Sequence, residues 1–139
     1  VTTKAAARQG LVTVAALGNR TFTQRTGGEK KSDSVKWRDG GSVTPSVTAG
    51  PPETGDITLT NGYDPDVDGP MLSNLLLQVG ILRTTISQAS LYGDMTRVAG
   101  AKPFVWTDAV LTSVKVPETD ANSGEIATYE LVFSPADVA

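Results

Sequence analysis

The stretch TSVKVPETDANSGEIATYELVF, from Thr112 to Phe133, reads as two β-strands joined by a loop. The first run ends at Val116. The second begins near Glu125 and sets Tyr129, Leu131 and Phe133 on one face, the period of a half-buried strand. Between them, residues 117–124 (Pro-Glu-Thr-Asp-Ala-Asn-Ser-Gly) offer nothing to a core. Two residues are enough to reverse a hairpin, so a loop this long needs another explanation.

Working outward, PFVWTDAVLTSVKV is one long strand with Phe104 and Trp106 on one side. Its apolar parity breaks around Thr107–Ala109, which predicts a bulge near Asp108. LRTTISQASL alternates Leu82, Thr84 and Ile86 against Arg83, Thr85 and Ser87. DITLTNGYD turns Ile57 and Leu59 inward, with Thr58 and Thr60 outward. LVTVAAL, Leu11–Leu17, reads as a buried strand, and Gly18-Asn19 lets RTFTQR pair back on it. Gly93-Asp94 marks a further turn. The spacing of Met71, Leu72, Leu75, Leu76 and Val79 predicts one helix over 68–79, with Asp68 as N-cap, Pro70 in its first turn and Gly80 behind it. The expectation is a single mainly-β domain spanning 1–139. It is a β-sandwich or small barrel of six to seven antiparallel strands with one flanking α-helix.

One segment does not fit that body. Residues 26–55, TGGEKKSDSVKWRDGGSVTPSVTAGPPETG, are punctuated by Gly and Pro pairs and hold few large apolar side chains. Within them, SVKWR puts Val35 and Trp37 on one side and Lys36 and Arg38 on the other, a ribbon with an apolar and a charged face. So long a segment without a core of its own is functional or disordered, and its Trp argues against disorder. The charge distribution singles out the same region. Residues 1–40 carry eight basic residues against three acidic ones, and the remainder four against twelve, within a net charge of −3. An uneven solvated surface, a nucleic-acid arm, or a basic segment meant for an acidic surface of the same protein would each produce this asymmetry.

Composition narrows the chemistry. The chain of 139 residues has no cysteine and no histidine, which removes disulfides, the usual zinc sites and any Ser-His or Cys-His nucleophile pair. DPDVDG, Asp64–Gly69, copies the opening of a calcium loop, but its ninth and twelfth positions are Leu72 and Leu75. A helix cap explains those carboxylates better than calcium does, so no metal or cofactor is expected. GGEKK lacks the spacing of a phosphate loop. Glu118 and Asp120 sit in a polar loop with nothing to raise either pKa. Lys36-Trp37-Arg38 has the form of a stacking-plus-phosphate patch, yet it is the only one, in an acidic chain. A carbohydrate- or protein-binding module would need more aromatic side chains outside core strands than Trp37 alone. The Asn19-Arg20-Thr21 sequon comes without an apolar leader in VTTKAAARQG, so the reading is assembly in the cytoplasm. No catalytic constellation is present, and no apolar run spans a membrane.

Three passages, in order, resemble the tail tube proteins of contractile-tailed bacteriophages and their relatives in contractile bacteriocins, injection systems and the type VI secretion tube. They are VKWRDGG, PPETGDITLTNGYDPD followed by PMLSNLLLQVG, and FVWTDAVLTSVKVPETDANSGEIATYELVFSP. The resemblance as a whole runs from about Leu11 to Pro135. The chain departs from the family pattern in having Thr119 before Asp-Ala and an added Gly124. The resemblance implies a non-enzymatic building block of the virion, made in the host bacterial cytoplasm. Six copies would form a ring, and rings would stack into a tube through which DNA passes. Tail sheath and baseplate or terminator proteins would be its partners. A baseplate or terminator ring of the same fold, or the tube of an injection particle, is the alternative. The arm residues Lys30, Lys31, Val35, Lys36, Trp37 and Arg38 would then be subunit contacts. So would the loop residues Glu118, Asp120, Asn122 and Glu125. Arg83, Thr85, Ser87, Thr128 and Glu130 become candidates to face the bore.

Overall fold

The computed structural model describes residues 10–18, 20–92 and 100–139, together with residues 4, 6, 8, 94, 96 and 98. Asn19 of the sequon and first turn signal, and Gly93 of the second, lie outside the described residues. The described strands are β1 (Gly10–Val14), β2 (Thr21–Phe22), β3 (Gln24–Gly27), β4 (Lys30–Lys31), β5 (Ser34–Trp37), β6 (Ser46–Ala49), β7 (Glu53–Thr54) and β8 (Ile57–Gly62). After helix α1 (Pro65–Leu76) come β9 (Arg83–Ser90), β10 (Phe104–Lys115), β11 (Thr128–Ser134) and β12 (Asp137–Val138).

The main sheet has the order β2-β1-β9-β10-β11-β8-β3, antiparallel throughout, with β12 completing one side of β10. Its two ends are one stretch of chain. RTFTQR pairs back on β1 through Phe22 opposite Val12, as its pattern predicts. Then, after Thr23, it pairs with β8 through Arg25 opposite Leu59. The Thr23 N–H donates to the Thr60 carbonyl at 3.1 Å between the two halves. The sheet therefore closes into a barrel, which leaves little free edge for unwanted strand pairing.

Alternation decides what fills the barrel. Ile57, Leu59, Ile86, Leu111, Tyr129, Leu131 and Phe133 are wholly buried, as the period-two pattern requires. Phe22 meets Tyr129 edge to face at 6.3 Å between ring centroids. Each such side chain contributes about 1.5–3 kcal/mol by leaving water. The bulge in β10 falls between Trp106 and Ala109. Asp108 takes φ +51° there, and Arg83 Nη1 donates to both its carboxylate oxygens at 3.0 Å. A second shift, between Leu111 and Ser113, returns Val114 to the core side.

The helix differs from its sequence reading in one respect that matters. It starts at Pro65, and Asp64 is the N-cap, accepting the Asp66 N–H at 3.1 Å. Asp68, expected to cap, is buried one turn further on, where it accepts the Asp64 N–H at 2.8 Å and pairs with Arg20. Leu72 and Leu75 pack onto the barrel, but Leu76 and Val79 are exposed, so the apolar stripe is narrower than its spacing suggests. No described helix is long and apolar enough to cross a membrane.

Candidate assembly surfaces

Two features stand clear of the barrel, at opposite ends of its long strands. The first is the arm. Gly27 and Gly28 both have φ near +80°, a conformation side chains rarely adopt. Here the chain turns out of β3. The Gly28 N–H donates to the Asp56 carbonyl at 3.0 Å, and the Trp106 indole Nε1–H donates to the Gly28 carbonyl at 2.9 Å. The half-buried Arg25 guanidinium stacks 4.8 Å from the Trp106 ring, donates to Gln88 Oε1 and Gly27 O, and is pushed below its ordinary pKa by burial. A β4–β7 pairing, Lys30 opposite Thr54 and Lys31 opposite Glu53, forms the base.

Beyond the base, β5 and β6 make a separate hairpin, Ser34 opposite Ala49 through Trp37 opposite Ser46. Every residue from 34 to 49 except Pro45 is exposed, including Val35 at 62% and Trp37 at 70%. Among the described residues, no hydrogen bond or ion pair links this hairpin to the barrel. The arm's cations divide into two groups. Lys30 donates to Asp137 at 2.9 Å, and this bond, then the Val138 N–H bond and the lysine charge, hold the Asp137 carboxyl below its usual range. Lys31 lies 3.7 Å from Glu29. Lys36 and Arg38, on the hairpin, have no carboxylate within ion-pair distance among the described residues.

The second feature is the β10–β11 loop. Ladder pairing stops at Lys115 opposite Glu130, so the connection runs from Val116 to Ala127, longer than the eight residues read from sequence. Its own polar groups order it. Asp120 accepts the Asn122 N–H at 3.0 Å through its side chain and the Ser123 N–H at 3.2 Å through its carbonyl. Ser123 Oγ accepts the Glu125 N–H at 3.2 Å. Beside the loop lies an open groove of about 700 Å³, bordered by Lys115, Glu118, Asp120, Glu125, Ile126 and Glu130. Ile126 is 81% exposed within it.

Register places the two features. Along β8 and β11, Ile57 lies opposite Phe133 at the arm end and Gly62 opposite Thr128 at the loop end. The seven residues of β11 separate the ends by about 20 Å. Arg83, Thr85, Ser87, Thr128 and Glu130 all lie on the barrel's outer face, on β9 and β11 to either side of β10. Sequence reasoning missed the Trp106–Gly28 bond, although two glycines next to a basic arm are a signal for a tight exit.

Comparison with solved structures identifies the architecture. A chain of the anti-feeding prophage baseplate, in a six-fold symmetrised structure, superposes with a TM-score of 0.78 at 16% identity, over 100% of this chain and 96% of that one. The anti-feeding prophage tube-terminating cap gives 0.76 at 22% identity, over 100% and 91%. The sheath/tube terminator of an extracellular contractile injection system gives 0.75 at 22%, over 100% and 97%.

The fold is theirs. No protein-family model matches the sequence, and no curated protein matches it. The mainly β architecture expected from the strand pattern is thus observed, on a scaffold that contractile injection systems use in their terminators and baseplates.

Proposed function

We propose that this chain is a structural subunit that polymerises as stacked hexameric rings into a tail tube, the conduit for DNA in a contractile phage particle. The observation that carries this reading is the Ser34–Ala49 hairpin, a pair of strands that presents Trp37 and Val35 to solvent and, among the described residues, has no hydrogen bond or ion pair to its own barrel. A folded ribbon with an exposed apolar face is stabilised when another molecule covers it. The shared fold with terminator and baseplate chains supports placing that molecule in a contractile machine. Sheath and baseplate or terminator proteins are then the partners, the virion is the location, and the role is not enzymatic.

Six barrels side by side can turn one outer face toward a common axis. Arg83, Thr85, Ser87, Thr128 and Glu130 are proposed for that face. Arg83 is already neutralised by Asp108, and the hydroxyls and Glu130 offer a phosphate backbone little to hold it, so DNA would slide through. A second reading, a tube or terminator ring of an injection particle, is favoured by the likeness to the tube-terminating cap and to the sheath/tube terminator.

Negative-stain microscopy of the purified chain tests both. Six-fold rings that lengthen into tubes are expected. Rings that never lengthen would favour the terminator, and a strictly monomeric protein at high concentration would overturn the proposal.

A further inference from the structure

The solvent side of helix α1 and of the turn behind it is bare of charge. Residues 69–82 contain no charged side chain. A surface helix ordinarily turns charged residues to water. Here Leu76, Leu77, Val79 and Ile81 are exposed instead, Leu77 at 80% and Ile81 at 73%. The charges that flank them in sequence, Asp68 and Arg83, are each satisfied inside the molecule, by Arg20 and by Asp108. A contiguous apolar ridge of this kind marks a contact surface.

The hairpin supplies a face of the same character. Residues opposite one another in a ladder share a face, so Val35 and Trp37 lie with Thr48 and Ser46, while Lys36 lies with Val47 on the other. Asp39 accepts the Trp37 indole N–H at 3.0 Å, so the ring arrives with its polar group satisfied. A neutral apolar face that carries an acid at its end suits the uncharged ridge, and not the carboxylate-bordered loop groove. Register sets the two surfaces at one end of the barrel. Gly27 lies opposite Ile57, Ile57 opposite Phe133, and Phe133 opposite Leu111. The Leu111 carbonyl accepts the Gly80 N–H at 2.7 Å, and the Leu111 N–H donates to the Leu82 carbonyl at 3.0 Å. The arm's exit and the end of the ridge thus stand at one level, with β8, β11 and β10 between them.

We infer that the hairpin of one copy lies across the α1 ridge of its neighbour, with Val35 and Trp37 over Leu77 and Ile81. This rests on the proposal that copies assemble, and it adds which two surfaces meet. Extended chain from Gly28 to Trp37 spans at most about 30 Å, far enough to leave one barrel and cross onto another. A projection on one side and a receiving ridge on another, at one level, make a head-to-tail contact that can close into a ring. The contact therefore joins subunits sideways and leaves the barrel ends for stacking. Trp37 is its anchor, because a large aromatic at the centre of an interface carries a disproportionate share of the energy. Lys36, on the hairpin's far face, stays in water.

Two surface variants and a cross-link test the pairing. Trp37→Ser and Leu77→Ser/Ile81→Ser alter exposed side chains, so each should keep the wild-type thermal midpoint. Each should need roughly tenfold more protein than wild type to form rings in sedimentation velocity. Combining the three changes should add little, because both variants remove one contact. Independently, the cysteine-free chain carrying Val35→Cys and Leu77→Cys should give a ladder of cross-linked multimers on oxidation. If wild type forms rings while both variants assemble as it does and no ladder appears, the pairing is overturned and the tube reading stands. A disulfide that closes within a single chain overturns it equally. If wild type never associates, both fall.

Discussion

The indole N–H of Trp106 reaches across the barrel wall to the carbonyl of Gly28, 2.9 Å away, and so fixes the point where the arm departs. A Cβ at Gly28 would lie 2.8 Å from both Ile57 Cγ1 and Trp106 Nε1, in a backbone conformation of φ +79°. Glycine is required there twice over, by space and by backbone angle. Gly28→Ala should therefore destabilise the fold by about 2–3 kcal/mol, seen as a lowered thermal midpoint. An unchanged midpoint would show that the exit is looser than this geometry.

Replacing the donor is a milder test of the same contact. Trp106→Phe keeps most of the buried ring but leaves the Gly28 carbonyl without its partner, at a cost of about 1–3 kcal/mol. Proteolysis should reach the arm sooner in this variant, because its base is less firmly held. Equal cleavage rates in variant and wild type would remove Trp106 as the clamp.

Arg20 and Asp68 tie the start of α1 to the segment that closes the barrel. Asp68 is buried, so Arg20→Ala leaves a carboxylate stranded away from water and should cost about 3–5 kcal/mol in urea unfolding. The double change Arg20→Met/Asp68→Leu should recover much of that loss, because no buried charge remains. A double variant as unstable as the single one would mean that the pair contributes chiefly through packing.

Acid should loosen the arm base in a defined direction. Asp137 has its pKa depressed in the folded chain, first by the Lys30 hydrogen bond. Its contribution is therefore present above the ordinary carboxylate value of about 4 and is lost as pH falls through the lower folded value. Lys30→Met should return the Asp137 midpoint toward the ordinary value in a carbon-detected NMR titration. A midpoint that does not move would show that Lys30 is not the cause.

Much of this was readable in the residues. Period-two alternation located the core face of β8, β9 and β11 because buried strands leave an unambiguous parity, and the broken parity at Asp108 marked its bulge. Helix α1 was found but placed three residues late, since Asp64 and Asp68 are both plausible caps and only the pairing with Arg20 distinguishes them. Closure of the barrel could not be read, because RTFTQR carries one pattern while serving two neighbours. Among the arm residues, Lys30 and Lys31 looked like Lys36 in the sequence. The carboxylates of Asp137 and Glu29, supplied by the fold, set them apart.

The closed barrel also governs how load would pass through the molecule. The arm is continuous with β3 on one side and β8 on the other, and both enter the barrel at the same end. A tug on the arm along the strands stresses the six β8–β11 register pairs together, in shear, instead of peeling them apart one at a time. A subunit wired this way resists thrust at its extremity with its whole wall.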